Sequence, residues 1–143
     1  VTDAPLLHLV ACVKVKRPVP AAARDLYCSD WFVKARRYVE QRTDHWYILS
    51  AKYGLVGPGD VIAPYDLTLN KMPVSERREW AARVLQQLQG VHYPIDAPVV
   101  VLAGLNYRLP LTPWLGQRGV VPMMGLGFGH QKSFLDRPVQ TER

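Results

Sequence analysis

The stretch Leu6-Leu7-His8-Leu9-Val10-Ala11-Cys12-Val13 (LLHLVACV, residues 6–13) is almost wholly apolar and too short for a buried helix of ordinary length. A strand with one solvated face would alternate polar and apolar residues, so an unbroken run of this length reads as a strand covered on both faces, the environment of a parallel sheet between two helical layers. Two more runs have the same character: His45 to Ala51 (HWYILSA) and Pro98 to Gly104 (PVVVLAG). A shorter one, Gly119 to Met123, completes four predicted strands.

Helical patterns separate them. Ser29 is placed to cap a helix reaching about Arg42, with Phe32, Ala35 and Val39 on one face and Lys34, Arg36 and Arg37 off it. A second helix runs from about Glu76 to Gln89, with Trp80, Val84, Leu85 and Leu88 as its apolar stripe and Gly90 as its stop. A proline-limited turn or short helix spans Leu109 to Leu115, and a last helix covers His130 to Asp136. Strands alternating with helices define an α/β fold: a three-layer αβα sandwich around a short, mostly parallel four-stranded sheet, one domain over residues 1–143. Between Lys52 and Pro73 lies what reads as a long loop, and long ordered loops often carry function.

Composition narrows the function classes. The chain has 143 residues, 48% of them hydrophobic and 21% charged, which excludes a disordered or collagen-like chain. No apolar run approaches the roughly 20 residues that span a bilayer, so no membrane partner is expected. Two cysteines, Cys12 and Cys28, form no CxxC pair and no zinc-type cluster, so neither a disulfide framework nor a metal centre is expected. With no signal-type N-terminus, these features point to a reducing, cytoplasmic setting. Lys and Arg number 18 against 12 Asp and Glu, a formal net charge of +6 that favours anionic partners, DNA among them. No obligate protein partner is evident in the sequence.

In open α/β sheets ligands bind beyond the carboxyl ends of the strands. Four clusters fall there: 12–17 (CVKVKR), 50–54 (SAKYG), 104–108 (GLNYR) and 125–131 (GLGFGHQ), joined by 64–69 (PYDLTL) from the long loop. Asp66 is the carboxylate best placed to orient water or stabilise a cationic sugar-like transition state; its structural alternative is an Asx-turn that shapes the loop. A single acid excludes the paired-carboxylate glycosidase pattern. Lys14, Lys16, Arg17 and Arg108 suit phosphate binding, although a basic loop is equally suited to solvation. Lys52 can bind phosphate or act as an amine nucleophile, and His130 can act as a general acid or cap its helix. Tyr53, Tyr65 and Phe128 offer faces on which an extruded base would stack, while Asn106 and Gln131 offer amides for its edge. The glycine turn before His130 lacks the full dinucleotide spacing and a P-loop Lys-Ser/Thr pair, so no cofactor is expected. Cys12, at the end of the first strand, reads as inert core.

The joined signature Cys12-x-Lys14, Ala23-Arg24-Asp25-Leu26-Tyr27, Leu49-Ser50-Ala51-Lys52-Tyr53-Gly54-Leu55, Pro64-Tyr65-Asp66-Leu67-Thr68-Leu69 and Gly125-x-Gly127-x-Gly129-x-Gln131 resembles a poorly characterised bacterial and phage domain family. That family is distantly similar to the YaaA peroxide-stress proteins. The resemblance implies DNA-associated work, and the α/β outline is also similar to the uracil-DNA glycosylase fold. The Gly-Gln-Asp-Pro-Tyr and His-Pro-Ser runs of uracil-DNA glycosylases are absent, so a glycosylase reading rests on other residues. The expected function is a DNA glycosylase that extrudes a modified pyrimidine, with a 5-hydroxymethyl base favoured. The alternatives are a non-enzymatic DNA-binding module of stress protection and a nucleotide or nucleobase transferase.

Overall fold

The computed structural model describes residues 6–139, so the termini of the expected 1–143 domain, residues 1–5 and 140–143, lie outside the described residues. The elements in chain order are β1 (Leu7–Ala11), β2 (Ala21–Ala22), α1 (Ala23–Leu26), α2 (Asp30–Glu40), β3 (Trp46–Ser50), β4 (Gly54–Val56), β5 (Val61–Ile62), α3 (Val74–Leu88), β6 (Val99–Leu102), α4 (Leu105–Arg108), α5 (Thr112–Leu115), β7 (Gly119–Val120) and α6 (Phe128–Leu135). The central sheet has five strands in the order β4-β3-β1-β6-β7, and β2 and β5 form a separate antiparallel ribbon. β1 pairs in parallel with both β3 and β6, β6 pairs in parallel with β7, and only β4 runs antiparallel to its neighbour β3.

Every residue of β1 and β6 is buried, which is why those strands read as unbroken apolar runs. Alternation along them feeds two cores. Leu7, Leu9, Leu49, Val99 and Val101 face α3, meeting Trp80, Ala81, Val84 and Leu88, with Tyr107, Leu111 and Leu115 closing that side. Val10, Ile48, Val56, Val100 and Leu102 face α1, α2 and α6, meeting Leu26, Phe32, Ala35, Val39 and Leu135. Each such aliphatic side chain, moved fully from water, contributes about 1.5–3 kcal/mol. The three-layer αβα sandwich is therefore present, with helices on both faces.

The strand count and several boundaries differ from the sequence expectation. The sheet has five strands rather than four, because β4 folds back from β3 as a tight hairpin. Gly54 makes that turn at φ +77°, and a Cβ there would collide with the Gln87 amide. Gln87 Oε1 accepts the Leu55 N–H at 2.7 Å and Nε2 donates to the Tyr53 carbonyl at 3.2 Å, so α3 clamps the hairpin. The span expected as loop, 52–73, thus holds β4, β5 and a 3-10 turn at Leu69–Lys71. The loop after β1 holds β2 and α1. The strand expected over 119–123 is two residues long, and α6 begins at Phe128 rather than His130 because Gly127 is its N-cap. α3 starts at Val74 after Pro73, one turn-half earlier than expected. Ser29 does cap α2, its hydroxyl accepting the Phe32 N–H at 3.1 Å.

His8 sits inside β1, buried, with Nδ1–H donating to the Leu6 carbonyl at 2.9 Å. Burial is the main influence and lowers its pKa below 6.5; the Leu6 bond opposes this and Arg42 adds to it. A group whose folded pKa is depressed binds its proton more readily in the unfolded chain, so stability present above 6.5 is lost as pH falls toward the folded value. Urea unfolding at stepped pH should show this loss with a slope of at most about 1.4 kcal/mol per pH unit, and His8→Gln should flatten it. A wild-type profile with no more slope than the variant would refute the assignment.

No helix of the described residues is long and apolar enough to cross a membrane.

Candidate functional site

The crossover from β1 to β3 passes over the α2 face and the one from β3 to β6 over the α3 face, so the chain's winding reverses between β1 and β6. Beyond the carboxyl ends of those two adjacent strands lies a cavity of about 320 Å³. Residues following β1 (Cys12, Val13, Lys14, Lys16), the Asp66–Lys71 segment and Tyr107 line it. This is the switch point at which open α/β sheets hold their ligands.

Cys12 and Tyr107 give the cavity its floor, and behind it lies a set of hydrogen-bonded side chains at the strand ends. Ser50, fully buried, donates its hydroxyl proton to Tyr65 at 2.8 Å and accepts the Lys52 and Tyr53 N–H groups at 3.3 and 3.0 Å, which fixes the β3–β4 turn. The Tyr65 and Tyr27 hydroxyls are hydrogen-bonded to each other at 2.6 Å. On the other face, Tyr107 Oη lies 3.5 Å from Cys12 Sγ and accepts the Leu69 N–H at 3.3 Å, while Cys12 Sγ accepts the Ala51 N–H at 3.4 Å. Burial raises all three phenols, Tyr27 to about 12 and Tyr65 and Tyr107 well above the usual phenol range. They are therefore neutral at physiological pH and serve as walls and hydrogen-bonding groups rather than as bases.

The charged groups stand above this floor. Asp66 and Lys14 are exposed at the mouth, and Lys16 is half-buried, its Nζ 4.4 Å from the Tyr65 ring centroid and 5.8 Å from that of Tyr27. The Lys16 ammonium donates to the Lys14 carbonyl at 3.2 Å. Burial is the main influence and lowers the Lys16 pKa, with Cys12 and Asp66 opposing it. Lys71 joins the lining, so three lysines face one carboxylate. The ion pairs of the described residues lie elsewhere: Arg36 with Asp25 and Glu40, Lys34 and Arg37 with Asp136, and Lys132 with Asp30. The Lys and Arg cations of α2 and α6 are thereby paired, whereas the lysines of the cavity make no ion pair among the described residues.

The residues singled out in the sequence divide into three groups. Asp66, Lys14 and Lys16 share the cavity, whereas Asn106 lies outside its lining, in a neighbouring groove with Val74, Arg77 and Leu109, and touches the cavity only indirectly by donating to Asn70 Oδ1 at 2.9 Å. Tyr65 forms the wall behind Lys16, and Tyr53 packs edge-on against Tyr65 with ring centroids 5.6 Å apart. Arg108 and Gln131 line a second cavity of about 230 Å³ on the other side of the β6 end, with Trp31, Gly104 and Met123. There the Gln131 amide is engaged at both ends, Oε1 accepting from the Trp31 indole and Nε2 donating to the Leu126 carbonyl, each at 2.9 Å. It braces the glycine turn, whose Gly125 sits at φ +82°.

The remaining residues stand apart. Lys52 is exposed in the hairpin turn, its Nζ 5.3 Å from the Tyr53 ring, and does not line the Asp66 cavity. His130 and Phe128 are exposed on α6, Phe128 at 61% with Lys132 Nζ 4.9 Å from its ring. Arg17 turns away and donates to the Asp25 carbonyl at 2.8 Å. Cys12, expected as inert core, reaches the cavity lining instead. Asn70 and Lys71 also line the cavity without a signal of their own in the sequence, and Tyr107, an aromatic of the 104–108 cluster, joins them. The first two directly follow the PYDLTL segment, and a Thr68 side chain that caps the 3-10 turn by accepting the Asn70 N–H is the local signal that fixes their direction. Among the described residues, no three His, Cys, Asp or Glu side chains gather so as to hold a metal ion.

Fold and site together define a three-layer α/β protein with a small, lysine-rich cavity, Tyr107 in its lining, at the switch point of its sheet. Residues 7–137 match the model of DUF6884, a family of unknown function, and the chain belongs to that family. It is similar to the uncharacterised protein YfjM of Bacillus subtilis (strain 168), 28% identical over 133 residues that span 86% of this chain and 83% of that protein. No solved structure matches it.

Proposed function

We propose that this protein is a DNA glycosylase that flips a modified pyrimidine, a 5-hydroxymethyl base foremost, into the cavity between the β1 and β6 ends and hydrolyses its N-glycosidic bond. The observation that carries this reading is the convergence of Asp66, Lys14, Lys16 and Asn70 on one cavity of about 320 Å³, with Asn106 outside the lining holding the Asn70 side chain through its Oδ1. That volume is at the low end of ligand pockets, suited to one flipped base rather than a dinucleotide. In the reaction the C1′–N bond breaks with its electron pair going to the base. Asp66 orients a water and takes its proton as the oxygen bonds to C1′, and its charge stabilises the cationic sugar on the way. The Asn70 amide N–H groups, with no protein partner among the described residues, suit the carbonyl oxygens of the departing base. Lys14 and Lys71 at the mouth, with Arg108 in the neighbouring cavity, suit the flanking phosphates. Exposed Phe128 offers a ring face to a neighbouring base. The resemblance to the YaaA peroxide-stress proteins and to the uracil-DNA glycosylase outline supports the choice of DNA, and the two cysteines, which form no CxxC pair, support a reducing, cytoplasmic setting.

The direct test is mass spectrometry of free bases released from duplexes carrying hydroxymethylated, oxidised or uracil pyrimidines. Release of one base class above the no-enzyme control is the expected result. DNA binding without release from any duplex would leave the non-enzymatic binding module as the better reading, and competition of binding by free nucleotides would favour the transferase.

A further inference from the structure

We infer that Lys16, and not Lys52, is an amine nucleophile of this cavity, forming an imine with C1′ of the sugar and adding strand cleavage to base removal; this inference rests on the glycosylase reading. An amine nucleophile needs three things: a place on the ligand cavity, an ammonium that gives up its proton readily, and a neighbour that accepts the proton. Lys16 has the first, since it lines the cavity from the loop after β1. For the second, its Nζ is half-buried against the faces of Tyr65 and Tyr27, and its hydrogen-bond acceptor is the neutral Lys14 carbonyl. It has no carboxylate within ion-pair distance among the described residues. Desolvation without a close counter-ion favours the neutral amine. For the third, Asp66 lines the same cavity. Lys14 stands exposed at the mouth, and Lys52 lies outside the lining.

The steps balance without any further reagent. The Lys16 ammonium passes one proton to Asp66, and the neutral amine attacks C1′ in place of water; the C1′–N bond breaks toward the base, which leaves with a second amine proton. Ring opening, with Asp66 returning its proton to O4′, gives the protonated imine, whose acidic C2′ proton then passes to the Asp66 carboxylate. The electron pair released forms the double bond that expels the 3′ phosphate, and water then hydrolyses the imine and frees Lys16. On an abasic site the same imine forms by condensation, with loss of one water.

The test is borohydride trapping of the full chain on a duplex containing one abasic site, followed by a denaturing gel and peptide mapping of the reduced adduct. A trapped complex mapping to Lys16, lost in Lys16→Arg and retained in Lys34→Arg, is the expected result. Mapping on the wild-type protein settles the residue even if the Lys16 variant fails to fold. An adduct on Lys14, Lys52 or Lys71, or none at all, would overturn the inference. Base release with intact strands and no adduct would overturn it while leaving the glycosylase reading standing. A Lys16 adduct on abasic DNA with no base released from any modified duplex would uphold the amine and sink the glycosylase.

Discussion

Asp66→Asn is expected to lower base release by about 10²–10⁴-fold, the range associated with loss of a positioned acid–base group, while leaving DNA affinity intact. The two effects separate because Asp66 is, among the described residues, the only carboxylate lining a cavity otherwise walled by three lysines, the Asn70 amide, the Thr68 hydroxyl, a thiol, a phenol and two aliphatic side chains. Replacing it by the isosteric amide keeps the shape of the mouth but removes the proton acceptor and the negative charge opposite the developing sugar cation. In the proposed reading phosphate binding rests on Lys14 and Lys71, which the change does not touch, and losing a negative charge beside them cannot weaken the hold of two lysines on a polyanion. Single-turnover release and a salt titration of binding, done on the same preparation, supply both readings. Parallel loss of binding and release would show that Asp66 shapes the loop as an Asx-turn residue; unchanged release would remove it from the chemistry.

Trp80→Ala should be the most destabilising of the changes considered, by about 3–5 kcal/mol, as for other large aromatic side chains deleted from cores. Trp80 is 4% exposed on the inner face of α3, and its indole N–H donates to the Ser50 carbonyl at 2.8 Å. Its ring meets Tyr107 edge-on with centroids 5.7 Å apart. One side chain therefore joins α3 to the end of β3 and backs the phenol that holds Cys12 and the Leu69 N–H. Trp80→Phe keeps most of the apolar volume and loses the hydrogen bond, which should cost about 1–3 kcal/mol. Urea unfolding gives both values from the midpoint shift at constant slope. A Trp80→Ala cost below that of Trp80→Phe would contradict the packing account.

What the sequence revealed of the fold follows burial. β1, β3 and β6 are covered on both faces, so their composition alone marks them, and α2 announces itself by Ser29 and its apolar stripe. The ribbon was invisible because Ala21 pairs with Ile62 and Ala22 with Val61, two residues a side, too few for any period to register. β4 is three residues long and starts on a glycine, which local preference reads as a turn. α6 opens with Phe128 and Gly129, and an interior glycine costs about 1 kcal/mol relative to alanine, so its first turn carried no helical signature.

The site was legible to the same degree. The rule that ligands sit at strand ends pointed to Lys14 and Lys16, since it depends only on where the apolar runs stop, and the length of the 52–73 loop pointed to Asp66; the structure brings the three to one cavity. The rule could not separate Lys16 from Lys52, because both follow a strand by a few residues. The difference arises from β4: the hairpin it forms turns Lys52 outward, whereas the loop after β1 folds Lys16 back over two tyrosines. That choice depends on contacts between Tyr65, Tyr27 and Ser50 that are up to 38 residues apart.

The floor and the wall of the cavity belong to opposite ends of the stability range of this chain. Cys12 and Ser50 extend from β1 and β3, strands paired within the sheet and sealed on both sides, whose amides exchange with solvent only when the whole domain opens. The 64–71 segment that brings Asp66 and Lys71 has no ladder partner; Tyr65, the buried Leu69 side chain and the Asn70–Asn106 contact pin it. Its release breaks a few hydrogen bonds, the Arg77 bond to the Leu69 carbonyl among them, and unseats the Tyr65 ring and the Leu69 side chain, fewer contacts than global unfolding breaks. A bulky ligand can thus be admitted by local rearrangement of the acid-bearing side, while the half of the site resting on the sheet holds its register.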